Sequence, residues 1–373
     1  MKSKLIFLTF NDHISGIFNS QVVDFLYSLK SKYNSDIKLI SFFSLRSYFK
    51  QKKKLKKIYP NCVALPMFPK LKNWKLNGFL LKLFVNSDVV ICRGVFAANI
   101  AFIANKNYKV VYDGRGAIKE EFKEYGVGGS FSISSISALE KKAVTNSFFR
   151  LAVSEKLVEY WEEQFNYKKK SHLVIPCTLP LNILLRSNSI NRGKLNFKND
   201  DVVVVFSGGS GIWQSYELII DAFEKLLIIN EKVKLLLLCK ENHFTKEFIK
   251  KYNDKVICKW VNYNDVFSYL SLADYGFIVR DDSITNYVSS PVKFAEYLHC
   301  GLKVLISPNI GDYSKLVQQN NLGYVIENGV YPELNVVNQD EKNRVKLFSQ
   351  KFFTKDSNFF QNKLDVLMDK LNS

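Results

Sequence analysis

Short apolar runs with the length of buried strands recur along the chain and alternate with segments of helical periodicity. Continuous apolar runs are typical of strands buried on both faces, and their alternation with helices favours a parallel sheet with helices on both sides. The predicted strands are 4–10, 37–42, 62–65, 89–92, 109–112, 149–153 and 172–175, followed by 201–206, 234–239, 256–260, 275–279 and 304–307.

The chain has 373 residues, which is enough for two such sheets. Residues 181–199 interrupt the alternation with Asn, Ser and Arg, so we interpret them as a linker. The sequence therefore predicts an α/β protein with two Rossmann-like domains, 1–180 and 200–340, facing a central cleft that would hold ligands. The tail, 341–373, has helical periodicity and is expected to pack back toward the N-terminal domain.

The cysteines and histidines of the sequence do not form the motifs of a metal site or a CxxC pair. The six cysteines include no CxxC pair, and the four histidines show no metal-ligand spacing. We therefore expect reduced thiols, a cytoplasmic location and no metal. No apolar run approaches the ~18–20 residues of a membrane span, so the protein is expected to be soluble or peripheral on the inner face of the cell membrane.

The net charge of +18 is distributed unequally. The first 200 residues carry +19, whereas the remaining residues carry −1. A lysine-rich predicted helix, 45–58, is followed by Phe, Trp and Leu residues interleaved with lysines over 68–84. This composition suits an anionic membrane surface, at about 1 kcal/mol per basic residue. A nucleic acid or a solvated lysine face would also fit it, but we expect the membrane and no nucleic acid.

The segment 289–301, SSPVKFAEYLHCG, carries signals for both ends of a helix. Ser290 suits the N-cap, Pro291 the first helical position and Gly301 the position after the last turn. Lys293 would lie in the first turn, where a cation opposes the helix dipole at a cost of about 0.3–1 kcal/mol. An anionic ligand would remove that conflict, so this helix start is a candidate anion site.

Glu296 follows Lys293 at a spacing of three residues, and two interpretations of the pair stay open. The two side chains can form a surface ion pair worth about 0.2–0.5 kcal/mol. Alternatively, Glu296 can accept hydrogen bonds from vicinal hydroxyls, as acidic residues do with ribose in dinucleotide sites.

Other polar or flexible groups follow predicted strands and should lie at the carboxyl edges of the sheets. Arg280 suits a diphosphate or an ion pair with a neighbouring aspartate. The glycine turn SGGSG, 207–211, suits a phosphate loop or a plain tight turn. In the first half, Asp113 and Arg115 are candidates for substrate contact or for a local ion pair. A further strand-end loop contains Gly16.

The segment SSPVKFAEYLHCGLKVLIS resembles the hallmark segment of GT-B nucleotide-sugar glycosyltransferases of the retaining family-4 type. The glycine turn is similar to theirs, and the Asp-x-Arg-Gly sequence at 113–116 resembles enzymes of bacterial surface-polysaccharide assembly. The segments VSEKL, 153–157, and VIPC, 174–177, also resemble family segments. The resemblance spans nearly the whole chain and is most specific around 280–307.

The resemblance implies transfer of a sugar, with retention, from a UDP- or GDP-linked donor to a lipid-linked or growing glycan acceptor. Such a transfer would belong to capsule, lipopolysaccharide O-antigen or exopolysaccharide assembly and would need no metal. The expected catalytic residues are Asp113, Arg115, Arg280 and Lys293. The expected donor-binding residues are Gly16, Gly208, Gly209, Ser289, Ser290, Lys293 and Glu296.

The sequence departs from the family pattern at two points. Val288 stands where the family often has a second glutamate, and Trp213 and Gln214 stand where it often has basic residues after the glycine turn. Arg280 is expected to supply the missing positive charge. The alternatives are a GT-B sugar-nucleotide epimerase, which needs no basic membrane face, and a basic nucleic-acid-binding protein.

Overall fold

The computed structural model describes residues 4–34, 36–126, 131–168, 171–181, 183, 190–209, 215–262 and 265–373. Within this part of the chain, two compact units form. The first unit comprises Met1–Leu181 and Asn358–Ser373, and the second comprises Asn182–Ser357.

The first unit contains a seven-stranded parallel sheet with strand order β3-β2-β1-β4-β5-β6-β7. In its register, Leu5 lies opposite Ile37 on one side and opposite Val89 on the other. The strand order changes direction between β1 and β4, as in other doubly wound folds. The strands are β1 Lys4–Phe10, β2 Asp36–Ser44, β3 Cys62–Met67, β4 Val89–Arg93, β5 Lys109–Gly114, β6 Phe149–Ala152 and β7 His172–Val174.

The second unit contains a six-stranded parallel sheet with strand order β10-β9-β8-β11-β12-β13. This is the same 3-2-1-4-5-6 order, and the change of direction falls between β8 and β11. The strands are β8 Val202–Ser207, β9 Val233–Leu238, β10 Val256–Cys258, β11 Tyr275–Ile278, β12 Lys303–Ile306 and β13 Gly323–Val325.

The α-helices connect the strands and cover the sheets. A π-helical segment, Asn19–Val23, joins the first two, and 3₁₀ turns lie at Leu71–Asn73 and Arg192–Leu195. The helices are α1 Gly16–Phe18, α2 Asp24–Tyr33, α3 Tyr48–Ile58, α4 Leu76–Lys82, α5 Val95–Ala104, α6 Ile118–Tyr125, α7 Ile133–Asn146, α8 Glu155–Phe165, α9 Tyr216–Ile229, α10 His243–Lys251, α11 Val266–Leu270, α12 Ile284–Tyr287, α13 Val292–His299, α14 Tyr313–Gln319, α15 Gln339–Phe353 and α16 Asn358–Asn372.

These two sheets confirm the predicted α/β class with two Rossmann-like domains. Strand β13 was not predicted, because it has only three residues of mixed polarity and so shows too little periodicity. The linker segment 181–199 lies partly outside the described residues. At its described end, Arg192 donates to the buried carboxylate of Asp274, which fixes it to the second unit.

The predicted helical tail, 341–373, contains two helices that belong to different units. Helix α15 packs against α13 of the second unit. Helix α16 instead adds Phe360, Leu364 and Leu367 to the buried core of the first unit, where they join Leu5 of β1 and other strand residues. Lys32 of α2 also forms a 2.8 Å ion pair with Asp365 of α16.

Replacement of a core side chain of α16 tests whether this helix is part of the first unit. Leu364 is fully buried, so Leu364→Ala should lower the free energy of unfolding by about 2–5 kcal/mol. Val366 lies on the same helix but is exposed, so Val366→Ala should change it by less than about 0.5 kcal/mol. Urea denaturation of both variants measures the difference, and equal stabilities would contradict the packing described here.

Candidate functional site

In open parallel sheets, ligands bind beyond the carboxyl ends of the strands where the strand order changes direction. In the second unit this position lies between β8 and β11. Phe206 is the penultimate residue of β8, and Arg280 follows β11 after one intervening residue. Helix α13 brings Lys293 to the same place, because the Lys293 ammonium nitrogen Nζ lies 4.3 Å from the centroid of the Phe206 ring.

The ends of α13 differ partly from the prediction. Gly301 follows the helix with φ +82°, in the left-handed region that favours glycine, as predicted. The N-cap prediction was wrong: Pro291 occupies that position, with the extended ψ of 121°. The Ser290 hydroxyl oxygen instead lies 2.7 Å from the Tyr313 hydroxyl. Tyr313 also stacks on Phe294 at 4.1 Å, so this contact anchors the segment that enters the helix.

Lys293 is a buried cation next to a second cation. Its residue is only 7% exposed. Burial lowers the pKa of Lys293 well below its ordinary value, and the nearby Arg280 guanidinium lowers it further. A negatively charged ligand would reverse both effects, since it would neutralise the repulsion and favour the protonated ammonium.

Glu296 is a buried carboxyl group on the same helix. Burial raises the pKa of Glu296 to about 7, and the Lys293 ammonium opposes that rise. Among the described residues, no hydrogen bond or ion pair holds its carboxylate. Both groups are buried, so the two side chains do not form a pair on the protein surface. The carboxylate retains its full capacity to accept hydrogen bonds from a ligand.

Arg280 is held in place through its backbone and its side chain. Ser307, which follows β12, accepts a 2.8 Å hydrogen bond from the Arg280 N–H and donates a 2.9 Å bond to its carbonyl. The guanidinium donates to the Asn286 side-chain oxygen at 3.2 Å. These bonds fix a strand-end arginine next to Lys293.

The segment before α13 is organised by the buried residue Asn286. Its carbonyl oxygen accepts hydrogen bonds from the N–H and the hydroxyl of Ser289 and from the N–H of Gly311. A Cβ at Gly311, where φ is +49°, would lie 1.9 Å from the Ser289 carbonyl oxygen. Only glycine therefore allows this close approach. Val288 is fully buried, so this position cannot offer a group to a sugar.

The glycine turn after β8 is described through Gly209. The Gly208 N–H donates to the Leu238 carbonyl at 3.3 Å, and the Tyr216 hydroxyl donates to the Gly209 carbonyl at 3.2 Å. Among the described residues, a Cβ added at Gly209 would meet nothing within 4 Å. Trp213 and Gln214 lie outside the described residues.

In the first unit, a chain of alternating charges crosses the ends of β1, β4 and β5. Arg93 donates to Asp12 at 2.8 Å and to Asp113 at 3.4 Å, and Arg115 lies 2.9 Å from Asp113. Asp113 is almost completely buried, whereas Arg115 is partly exposed. Asp113 therefore positions two arginines, and Arg115 is the member of the motif that a ligand can reach.

The two glycines of the Asp-Gly-Arg-Gly motif have separate packing requirements. A Cβ at Gly114 would lie 2.4 Å from the Trp161 ring, and a Cβ at Gly116 would lie 2.4 Å from the Glu121 carboxylate. Burial raises the pKa of Glu121 to about 7.

Gly16, the remaining predicted glycine, is the first residue of α1, and Ser15 caps that helix by accepting from the Phe18 N–H.

The structure thus brings Lys293, Glu296 and Arg280 together, with Ser289 and Ser290 in the preceding segment. The supporting residues Asn286 and Ser307 were not predicted, because their hydrogen bonds to this site join segments that lie apart in the sequence. Arg93 is the last residue of β4, and its partners Asp12 and Asp113 come from the segments at the ends of the neighbouring strands β1 and β5. Predicted strand order would have revealed this network, because Asp12, Arg93 and Asp113 end three adjacent strands.

The second-unit site can bind an anion and a pair of hydroxyl groups. Lys293 and Arg280 supply positive charge for phosphate oxygens, and Glu296 supplies an acceptor one helical turn away. Among the described residues, no group of three or more His, Cys, Asp or Glu side chains could hold a metal ion. In the same part of the chain, every helix is too short or too polar to cross a bilayer.

The chain has the two Rossmann-like units of the GT-B fold. No protein-family model and no curated protein sequence matches the chain. The structure is similar to a glycosyltransferase from Rickettsia africae, with TM-score 0.68, 16% identity and coverage of 100% of this chain and 99% of that one.

Two further solved structures share the fold. HepE from Anabaena, in complex with UDP and glucose, has TM-score 0.65 and 14% identity, and the match covers 100% of both chains. A Listeria monocytogenes protein assigned as a UDP-N-acetylglucosamine 2-epimerase has TM-score 0.59 and 11% identity, covering 98% of this chain and 95% of that one.

Proposed function

We propose that this protein is a glycosyltransferase that moves a sugar from a nucleotide-diphosphate donor to a lipid-linked or growing glycan acceptor. The observation that carries the proposal is the burial of Lys293 and Glu296 beside Arg280 at the β8–β11 switch point. Similarity to HepE, whose structure holds UDP and glucose, supports a UDP-linked donor.

Each group in the site has a separate role toward the donor. Lys293 and Arg280 bind the diphosphate, where charge-assisted hydrogen bonds are about twice as strong as neutral ones. Glu296 accepts hydrogen bonds from the ribose hydroxyls, because its carboxylate has no protein partner among the described residues. Gly208 and Gly209 let the backbone approach the phosphates, and Ser289 and Ser290 lie next to them on the helix side.

The transfer step depends on charge stabilisation more than on a protein base. As the bond between sugar and diphosphate breaks, negative charge grows on the leaving phosphate, and preformed positive groups stabilise it. Asp113 is held by two arginines, so it is suited to positioning them and not to abstracting a proton. A retaining transfer, in which the leaving phosphate assists the incoming acceptor, fits these residues, and Arg115 is placed to contact an anionic acceptor group.

A surface of the first unit fits an anionic membrane, where a lipid-linked acceptor would lie. Ser44 and Met67 pair at the ends of β2 and β3, so the residues after them share the carboxyl edge. Exposed apolar side chains follow β2 and β3 and lie on helices α3 and α4, and α3 also carries exposed lysines. We call these side chains the apolar edge: Leu45, Phe49, Phe68, Leu76 and Phe79.

A sugar-nucleotide epimerase is the second candidate, because the fold is also that of the Listeria protein described above. An epimerase would bind the same donor but would need neither the apolar edge nor an acceptor. Product analysis separates the two, since an epimerase changes UDP-N-acetylglucosamine without any acceptor present.

Nucleotide binding is the first test of the proposed function. UDP or GDP, alone or sugar-linked, should raise the melting temperature, since a ligand at 100 times its Kd adds about 2.7 kcal/mol of stability. Arg280→Ala should weaken nucleotide affinity about tenfold or more, which corresponds to about 1.4 kcal/mol. Thermal-shift titration with UDP, GDP and CMP measures both. If no nucleotide stabilises the protein, the proposal fails.

The pH dependence of UDP affinity tests Glu296. Its carboxylate must be ionised to accept two hydroxyl donors, and its pKa of about 7 means that protonation competes as the pH falls. Below about pH 7, UDP affinity should therefore fall, approaching tenfold per pH unit. Glu296→Gln should bind UDP more weakly at about pH 8, and its UDP affinity should no longer fall below about pH 7. Glu333→Gln, at an exposed carboxylate in the same unit, should retain the wild-type profile.

Vesicle sedimentation tests the apolar edge. The protein should bind vesicles of phosphatidylglycerol and phosphatidylcholine, more strongly as the anionic fraction rises and less strongly as salt is added. A Phe49→Ser, Phe79→Ser double variant should bind several-fold less, because these rings are 82% and 68% exposed. Leu347→Ser, at an exposed leucine of the second unit, is the matched control. Salt-sensitive binding to RNA without vesicle binding would favour the nucleic-acid alternative.

A further inference from the structure

Two cysteine thiols lie in contact next to the glycine turn of the second unit. Cys239 directly follows β9, and Cys258 is the last residue of the neighbouring strand β10. Their sulfur atoms are 3.8 Å apart, and the Cys258 sulfur also lies 3.7 Å from the Cys239 carbonyl oxygen. The two strands run parallel, with Cys258 opposite Leu237. The pair is therefore held together by the sheet and not by a mobile loop.

The thiol pair connects to the candidate donor site through one side chain. The hydroxyl of Tyr216, the first residue of α9, is hydrogen-bonded with Cys239 and donates to the Gly209 carbonyl at 3.2 Å. Gly209 belongs to the turn that is proposed to lie against the donor phosphates. A change in the bonding of Cys239 therefore acts on a partner of that turn.

We infer that Cys239 and Cys258 form a reversible disulfide by exchange with a low-molecular-weight disulfide, and that this bond weakens nucleotide binding. The second part rests on the proposed function. A disulfide requires a sulfur–sulfur distance of about 2.05 Å, so the two sulfurs need to approach each other by about 1.8 Å. Cys258 is half-buried and can be reached from solvent, whereas Cys239 is buried.

The disulfide forms through two successive thiol–disulfide exchange steps. The Cys258 thiolate attacks one sulfur of oxidised glutathione, a mixed disulfide forms, and one glutathione thiolate leaves. The Cys239 thiolate then attacks the Cys258 sulfur and releases the second glutathione. The two protein thiols are oxidised, and their protons end on the two glutathione thiols. The hydrogen bond between the two thiols lowers the pKa of Cys239 and raises that of Cys258. Deprotonation of Cys258 therefore limits the first step, whereas the second step starts from the favoured thiolate.

Mass spectrometry after incubation with oxidised glutathione tests the disulfide. The expected product is a peptide pair containing Cys239 and Cys258 that has lost the mass of two hydrogen atoms and is separated by dithiothreitol. Cys239→Ser and Cys258→Ser should each abolish this product, whereas Cys62→Ser, at a half-buried thiol of the first unit, should leave it unchanged. Absence of the cross-linked peptide in the wild type would overturn the inference, whether or not the protein binds nucleotides.

UDP titration of the reduced and oxidised protein tests the coupling. Oxidation should weaken UDP affinity about tenfold, and dithiothreitol should restore it. Tyr216→Phe should still form the disulfide, but its UDP affinity should not respond to oxidation. Equal affinity of reduced and oxidised wild-type protein would overturn the coupling. If neither form binds any nucleotide, the proposed function fails, and the cross-link still decides the first part.

Discussion

Desolvation of two opposite charges on one short helix, α13, is the constraint on which the candidate site depends. Lys293 and Glu296 are each 7% exposed, and burial shifts both pKa values toward the neutral forms. Isolated buried charges are costly, so such groups are retained where a ligand or partner compensates for their lost hydration. A nucleotide diphosphate carries both complements, because its phosphates are anionic and its ribose hydroxyls are donors.

Neighbouring residues hold helix α13 close against the sheet of the second unit. A Cβ at Gly276 of β11 would lie 2.2 Å from the ring of Tyr297, so the helix lies directly against the sheet. The Tyr297 hydroxyl then accepts from the Ser207 N–H at the end of β8. On the other side, Gly311 and Asn286 fix the entry segment. The charged groups are thus held by sterically restricted neighbours, which preorganises the site before a ligand arrives.

Much of the fold followed from the sequence, because buried parallel strands are continuous apolar runs that local pattern alone can identify. The location of Lys293, Glu296 and Arg280 followed from strand ends and helix signals. The N-cap of α13 did not, because the Ser290 contact is with Tyr313, 23 residues later in the chain. The burial of Glu296 depends on tertiary packing, which the spacing of residues along the sequence does not encode. The short strand β13 had too few residues to show a period.

The sequence of the second unit is inserted within that of the first. Helix α16 supplies Phe360 and Leu364 to the core around β1, yet the ribosome makes it only after the whole of residues 182–357. During synthesis, the second unit can complete its hydrophobic core while the core of the first unit still lacks helix α16. Proteins usually fold domain by domain from the N-terminus, but here the first unit can be completed only after the second has been synthesised. A nascent first unit therefore exposes apolar surface for the longest time, and chaperone binding during translation should concentrate there.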